Sequence, residues 1–269
     1  MIPKYFDVHS HVTFKDYESD IDAVLMRMYE NGVLTATVGV NLATSKEAVR
    51  FGEGKDNFYS IVGLHPTDAP KEQFVESEYR ELLVNPKVIG IGECGYDYYR
   101  LVGDLDTEKK RQQAEFEKQM ECAITYNKPL MIHCRPTKGT VDAYEDILNV
   151  LEARVREVGE KLRGNVHFFV GNVEVARRFY EIGFTTSFTG VLTFTHDYDD
   201  VVRFAPLSML LTETDAPFAT PVPFRGSRNE PHYVKYVVEA IAGIKGVDVE
   251  ETREKVLQNA LRVFTPSNV

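Results

Sequence analysis

Short apolar runs alternate along the chain with longer stretches in which apolar residues recur every three or four positions. The short runs read as buried strands and the longer stretches as amphipathic helices. Residues 5–11 read as a strand with a loop behind it. Residues 20–31 carry Ile21, Val24, Leu25 and Met28 at helical spacing, and Gly32 follows as a stop. Further strands are predicted at 34–40, 58–62, 88–93, 129–134, 166–170, 184–188 and 209–213. Helices are predicted at 45–52, up to about Leu83, and at 107–126, 139–159 and 173–182. Two more, at 231–242 and 249–264, close the chain.

About eight strand-then-helix units in 269 residues fit a TIM-type (β/α)8 barrel. A doubly wound open sheet alternates in the same way, so the counts favour the barrel only modestly. The positions of the ionisable residues separate the two. Asp7, His9 and His11 end the first strand, and His65 follows the third. Glu93 ends the fourth, His133 ends the fifth, His167 lies on the sixth, and Asp215 follows the eighth. A barrel would gather these on the C-terminal rim of its strands, whereas an open sheet would spread them along a line. No Pro-, Gly- or Ser-rich linker divides the chain, and 1–269 reads as one domain.

Each candidate is weak alone. His9-x-His11 places two imidazoles on one side of an extended chain, where both can face one ion, but it is also an ordinary pair in a turn. His133 and His167, each at the edge of an apolar run, read individually more often as hydrogen-bonded core histidines. Glu93 closes the run Val88-Ile89-Gly90-Ile91-Gly92, where an unpaired carboxylate would be costly to bury. A cation is the simplest partner, and a nearby arginine is the other. Asp215 follows Glu213 directly before Pro217, as a ligand or as a helix cap. Their recurrence in one barrel register favours a centre for Zn2+, Mn2+ or Mg2+.

Composition adds limits. Apolar residues at 43% and charged residues at 27% belong to a folded globular chain. Lys and Arg number 31 against 41 acids, a net charge of −10, which argues against binding nucleic acid through a broad basic face. A nucleic-acid enzyme remains open, because a few arginines and bound cations supply positive charge locally. No apolar run is long enough to span a membrane, and the first residues lack a signal-peptide pattern. Cys94, Cys122 and Cys134 cannot all pair, so a cytoplasmic location is expected.

Several segments, in this order, resemble the TatD-like metal-dependent hydrolases. They are Asp7-Val8-His9-Ser10-His11, Gly63-Leu64-His65-Pro66, Ile91-Gly92-Glu93-Cys94-Gly95-Tyr96-Asp97-Tyr98-Tyr99, Ile132-His133-Cys134-Arg135 and Glu213-Thr214-Asp215-Ala216-Pro217. The Pro- and Arg-containing segment 221–231 and the closing stretch 259–264 extend the likeness. It implies an amidohydrolase-type barrel with two divalent metal ions. His9, His11 and Asp215 would hold one, His133 and His167 the other, and Glu93 would bridge them. It also implies similarity to metal-dependent deoxyribonucleases, often with 3′→5′ exonuclease action, and to relatives linked to D-aminoacyl-tRNA deacylation. The chain departs from the family at 134–140 and 168–172 and carries a small insertion at 101–105, all at the expected substrate rim.

The expected activity is therefore a metal-dependent phosphodiesterase on single-stranded DNA ends. Hydrolysis of another ester or amide is the alternative, and a non-enzymatic metal protein fares worse, because an open rim of ligands is a catalytic arrangement. Asp215 would accept a proton from the attacking water, and His65 would contact substrate or protonate the leaving group. Arg135, Arg225 and Arg228 are candidate phosphate clamps, with surface ion pairing as the plain alternative. Tyr96 and Tyr98 are candidate base-stacking groups, with packing equally open. Glu213 would orient a histidine ligand. The oligomeric state stays open, a monomer being compatible with the sequence.

Overall fold

A computed structural model describes residues 2–68 and 72–264. The ends of the expected 1–269 span and residues 69–71 lie outside that description. Eight parallel strands form one sheet whose order follows the chain: β1 (Tyr5–Ser10), β2 (Val33–Val38), β3 (Phe58–Val62), β4 (Val88–Asp97), β5 (Leu130–Arg135), β6 (Gly164–Val166), β7 (Thr185–Phe188) and β8 (Leu210–Thr212). The sheet closes through a parallel bridge between Ser10 and Ala216. There the N–H of Asp215 donates to the His9 carbonyl at 2.9 Å, and the N–H of His11 to the Ala216 carbonyl at 2.8 Å. The expected (β/α)8 barrel is the fold, and the open sheet is excluded.

The outer layer holds α1 (Ile21–Asn31), α2 (Leu42–Gly52), α3 (Glu76–Leu83), α4 (Leu105–Thr125), α5 (Asp142–Val158), α6 (Val173–Glu181), α7 (Asp199–Phe204), α8 (Val234–Lys245) and α9 (Val249–Phe264). Local chemistry sets many of their ends. Gly32 leaves α1 in the left-handed region that favours glycine. Asn41 and Thr44 form a reciprocal cap on α2, and the Asp104 and Asn172 side chains cap α4 and α6. No helix among the described residues is long and apolar enough to cross a membrane.

Register sorts the side chains into two faces, because paired residues of adjacent strands point the same way. Phe6 pairs with Leu34, and both pack with Val8, Ala36, Val38, Ile61, Ile89, Met131 and Leu211 inside the barrel, where α9 contributes Phe264. Met131 pairs with Asn165 and Asn165 with Thr185, so the interior turns polar across β6 and β7. Ile91, Leu130, Ile132 and Val166 face outward into the helix layer.

Two strands differ from the sequence expectation in ways that matter for the site. β6 ends at Val166, so His167 lies just past it. Phe168 has φ of +44°, outside the extended region, and turns the chain there. β4 runs on to Asp97, four residues beyond the expected end, through a register shift between Ile91 and Cys94. Such a bulge re-aims side chains, and here it turns Glu93 inward. Gly92 and Gly95 allow it: their φ values are +153° and +136°, and a Cβ would run into the Met131 and His133 carbonyls respectively. The short helix α7 was not anticipated.

Gly95→Ala combines a strained φ with a clash against strand backbone. It should cost about 3 kcal/mol or more of folding stability, read by denaturant unfolding. A change within experimental error would show that the bulge does not depend on glycine.

Candidate metal centre

The bulge in β4 brings the Glu93 carboxylate to the C-terminal mouth of the barrel, 4% exposed. Its two oxygens face different histidines. Oε2 lies 3.5 Å from His9 Nε2 and 3.9 Å from His11 Nε2. Oε1 lies 2.7 Å from both His133 Nδ1 and His167 Nε2. Asp215 Oδ1 joins the first group, 3.7 Å from His9 Nε2 and 3.5 Å from His11 Nε2. The rings of His9 and His167 stack at 3.9 Å and join the two groups. The structure thus brings together His9, His11, Glu93, His133, His167 and Asp215. Asp7 is not among them: its carboxylate accepts from the Thr214 N–H at 2.7 Å and from the hydroxyls of Thr214 and Thr35. It ties β1 to the chain after β8, and burial pushes its carboxyl well above the usual range.

Partners on the far side of each ring decide which nitrogen faces the centre. Nδ1 of His11 donates to the Val38 carbonyl at 3.0 Å, which leaves Nε2 as the inward atom. Nε2 of His133 meets Asp97 Oδ2 at 3.1 Å, so Nδ1 is the inward atom. The Nε2 atoms of His9 and His11 are only 3.2 Å apart, and Nδ1 of His9 is buried with no partner among the described residues. Converging imidazole nitrogens, those of His11 and His133 backed by hydrogen-bonded outer atoms, are a donor set suited to Zn2+, Mn2+ or Mg2+ beside carboxylates. The residues fit a divalent metal.

Electrostatics agree with this fit. Burial alone would raise the Glu93 carboxyl, but His167 and His65, with His133, outweigh it and hold it well below the usual carboxylate range. Burial likewise opposes charge on His167 and His133. Glu93 and Glu213 raise His167 well above its ordinary value, and Asp97 with Glu93 raises His133. His11 is raised by Asp215 against the same burial penalty. His9 is pushed down to about 4 by burial and by the charge of His167, so it stays neutral. Positive charge collects around Glu93, and a divalent cation supplies it as well as protons do.

His65 sits beside the cluster with Nε2 at 3.4 Å from Glu93 Oε1. The Thr67 N–H donates to its Nδ1 at 3.1 Å, so the proton resides on Nε2 and points toward the centre. Burial lowers its pKa, which keeps the ring neutral. Its Nε2 therefore faces the candidate centre.

Two carboxylates support the histidines. Glu213 is fully buried; it accepts from the Phe168 N–H at 2.6 Å and the Ser187 hydroxyl at 2.7 Å, with His167 Nδ1 at 3.5 Å. Asp97, which the sequence reading passed over, orients His133 and is itself held by the Arg100 N–H at 2.9 Å. Gln112 of α4 clamps the backbone of Asp97 at both its N–H and its carbonyl. The signal was present: Glu93 and Asp97 are four apart and share strand parity, provided the strand continues past Glu93.

The same parity overturns the base-stacking reading of Tyr96 and Tyr98. Both face outward and are 1% and 5% exposed. Tyr96 packs on Tyr98 and Phe116, and the Tyr98 hydroxyl donates to Asp146 of α5 at 3.0 Å. Arg228 is also not a free clamp. It grips Asp20 at 2.6 and 2.8 Å and Glu230 at 3.0 Å, and it lies over the Tyr17 ring. Arg135 and Arg225 differ. Neither meets a carboxylate among the described ion pairs, and each guanidinium lies over a half-exposed ring, Arg135 on Tyr99 at 4.0 Å and Arg225 on Phe194 at 3.8 Å.

Comparison with known proteins agrees with this geometry. A family model described as TatD related DNase matches residues 6–265. The chain is 37% identical to the uncharacterized metal-dependent hydrolase YabD of Bacillus subtilis (strain 168), covering 96% of this chain and 98% of that protein. It is 35% identical to the uncharacterized metal-dependent hydrolase YcfH of Escherichia coli (strain K12), covering 96% and 94%. Among solved structures, the TatD homologue YjjV of E. coli K12 superposes with a TM-score of 0.86 at 26% identity, covering 98% and 99%. A TatD family hydrolase from Entamoeba histolytica, at 21% identity, shares the fold with a TM-score of 0.83 over 99% and 100% of the two chains.

Asp97→Asn removes the charge that makes His133 a strong donor. Metal affinity, measured by calorimetric titration, should fall by about tenfold or more. An unchanged affinity would reduce Asp97 to a cap for the Arg100 backbone.

Proposed function

The chain belongs to the TatD family of metal-dependent hydrolases, and within it we propose a phosphodiesterase that removes nucleotides from single-stranded DNA ends in the 3′→5′ direction. The observation that carries the reading is the division of Glu93, one oxygen toward His9 and His11 and the other toward His133 and His167. A carboxylate shared in this way suits two cations about 3.5–4 Å apart, the usual arrangement for phosphoryl transfer. His9, His11 and Asp215 would hold one ion, His133 and His167 the second, and Glu93 both.

Bound there, Mg2+, Mn2+ or Zn2+ would supply Lewis-acid activation of water and neutralise charge on the phosphate. The remaining roles fall to the chain. Asp215, more open than Glu93, accepts the proton that the attacking water gives up. His65 carries its proton on Nε2, positioned to hydrogen-bond the leaving oxygen. Arg135 and Arg225, each over an aromatic ring and without a carboxylate partner among the described ion pairs, would meet phosphate oxygens, although Arg225 Nη1 already donates to the Thr220 carbonyl at 3.0 Å. The buried, unpaired cysteines suit a reducing compartment such as the cytoplasm. The same centre would serve an ester such as a misacylated tRNA. A labelled single-stranded oligonucleotide tested against an aminoacyl ester separates the two readings.

Prolonged chelation should abolish hydrolysis of the oligonucleotide, and adding back each metal in turn should identify the one that restores it. Glu93→Gln should lower the content of both ions and cost at least about a hundredfold in turnover, more than His133→Ala. Two retained ions with near-normal turnover in Glu93→Gln would remove Glu93 as the bridge.

A net charge of −10 disfavours a long basic track. Contact with two or three phosphates gives a salt slope of only about −1.4 to −2 on a log–log plot. Linear single strands should yield a ladder from one end, and rapid cutting of closed circular single strands would contradict the exonuclease reading.

A further inference from the structure

The aromatic residues near the mouth fall into two kinds. Tyr96 and Tyr98 are committed to the helix layer. Phe218, three residues after Asp215, is 54% exposed. Its ring centre lies 6.4 Å from His11 and 6.5 Å from Phe14, and Phe14 lies flat against His11 at 4.6 Å, with 13° between the planes. An apolar step is therefore built directly against one histidine of the polar centre.

Folding does not account for this ring, because its exposed half gains nothing from burial. Its backbone, by contrast, is pinned. The Phe218 N–H donates to the Asp215 carbonyl at 2.8 Å, and its own carbonyl accepts from the Asn229 side chain. The same Asn229 amide donates to the Thr214 carbonyl at 2.9 Å, and the Asn229 N–H to the Pro217 carbonyl at 3.1 Å. Asn229 is fully buried. A bare aromatic face on a fixed backbone offers contact area to a flat ligand at little cost in conformational entropy.

We propose that Phe218, backed by Phe14 and His11, is the stacking platform for the base of the nucleotide being removed. The inference rests on the phosphodiesterase reading and names the part of the substrate that the centre grips besides phosphate. Base–aromatic stacking changes affinity by roughly 5- to 150-fold per base and tolerates any base, since each has a π face. The enzyme should accordingly favour an end that carries a base over one that lacks it, with little preference among the four.

The test uses short single strands with 2-aminopurine at the 3′ end and a phosphorothioate at the last linkage to slow cleavage. The chain has no Trp, so background emission is low. Binding to the metal-loaded wild type should quench the probe, as stacking does. In Phe218→Ala the quench should vanish and Kd rise about tenfold. Phe218→Leu, which keeps an apolar surface but loses the plane, should behave like Ala, and Phe218→Tyr should restore both signals. A strand ending in an abasic residue should bind wild type about tenfold more weakly and bind Phe218→Ala with no further loss. Equal quenching by wild type, Phe218→Ala and Phe218→Leu would overturn the platform while leaving the nuclease reading intact. A wild type that neither binds nor cuts any of these strands would overturn both.

Discussion

A carboxylate taken out of water must be matched by positive charge, and Glu93 imposes that requirement on the whole mouth of the barrel. It reaches the interior through the bulge in β4, and five histidines from β1 and the chain after β3, at β5 and after β6 surround it. Each histidine is in turn held from behind, by Val38, Thr67, Asp97 or the stacked ring of a neighbour. The outer contacts are as specific as the inner ones. Val38 and Asp97 engage the outer nitrogens of His11 and His133 and leave the other nitrogen of each facing Glu93, as Thr67 does for His65. One arrangement therefore turns five imidazoles toward a single carboxylate.

The rim shows a related division of labour. Acids outnumber bases by 41 to 31, so most arginines in such a chain find carboxylates. Arg228 does, and with Arg27 and His232 it holds Glu230 down to about 2 despite partial burial. That network fastens the segment after β8 to α1 and leaves Arg228 nothing to offer a substrate. Arg135 and Arg225 lie over aromatic rings instead, a mode of support that does not neutralise the guanidinium. The difference between a clamp and a brace lies in the partner rather than in the residue type.

The barrel and the residues that cluster at its mouth are legible because each follows from a local rule. Strand runs, helical spacing and caps are short-range signals, and His or acidic residues at strand ends stand out against apolar surroundings. His9, His11, Glu93, His133, His167 and Asp215 stand out in this way, and the barrel brings them together. The errors came where a strand end was misplaced. Ending β4 at Glu93 hid Asp97 and freed Tyr96 and Tyr98 to look like loop residues. Once the strand is continued, alternation alone sends Asp97 inward and both tyrosines outward.

What the sequence determined by itself was the periodicity of the elements, and with it the fold and the residues that end its strands. Tertiary structure decided orientation and pairing. The Glu93 oxygens are divided by a bulge that depends on the backbones of β4 and β5 meeting at Gly92 and Gly95. For four of the five histidines, the nitrogen that faces inward is set by groups 2 to 46 positions away, from Thr67 beside His65 to Glu213 near His167. Whether an arginine is bound or free depends on contacts such as Arg228 with Asp20, 208 positions apart. Periodicity is a property of neighbours along the chain, whereas charge pairing depends on distance in space, which exists only once the barrel has closed.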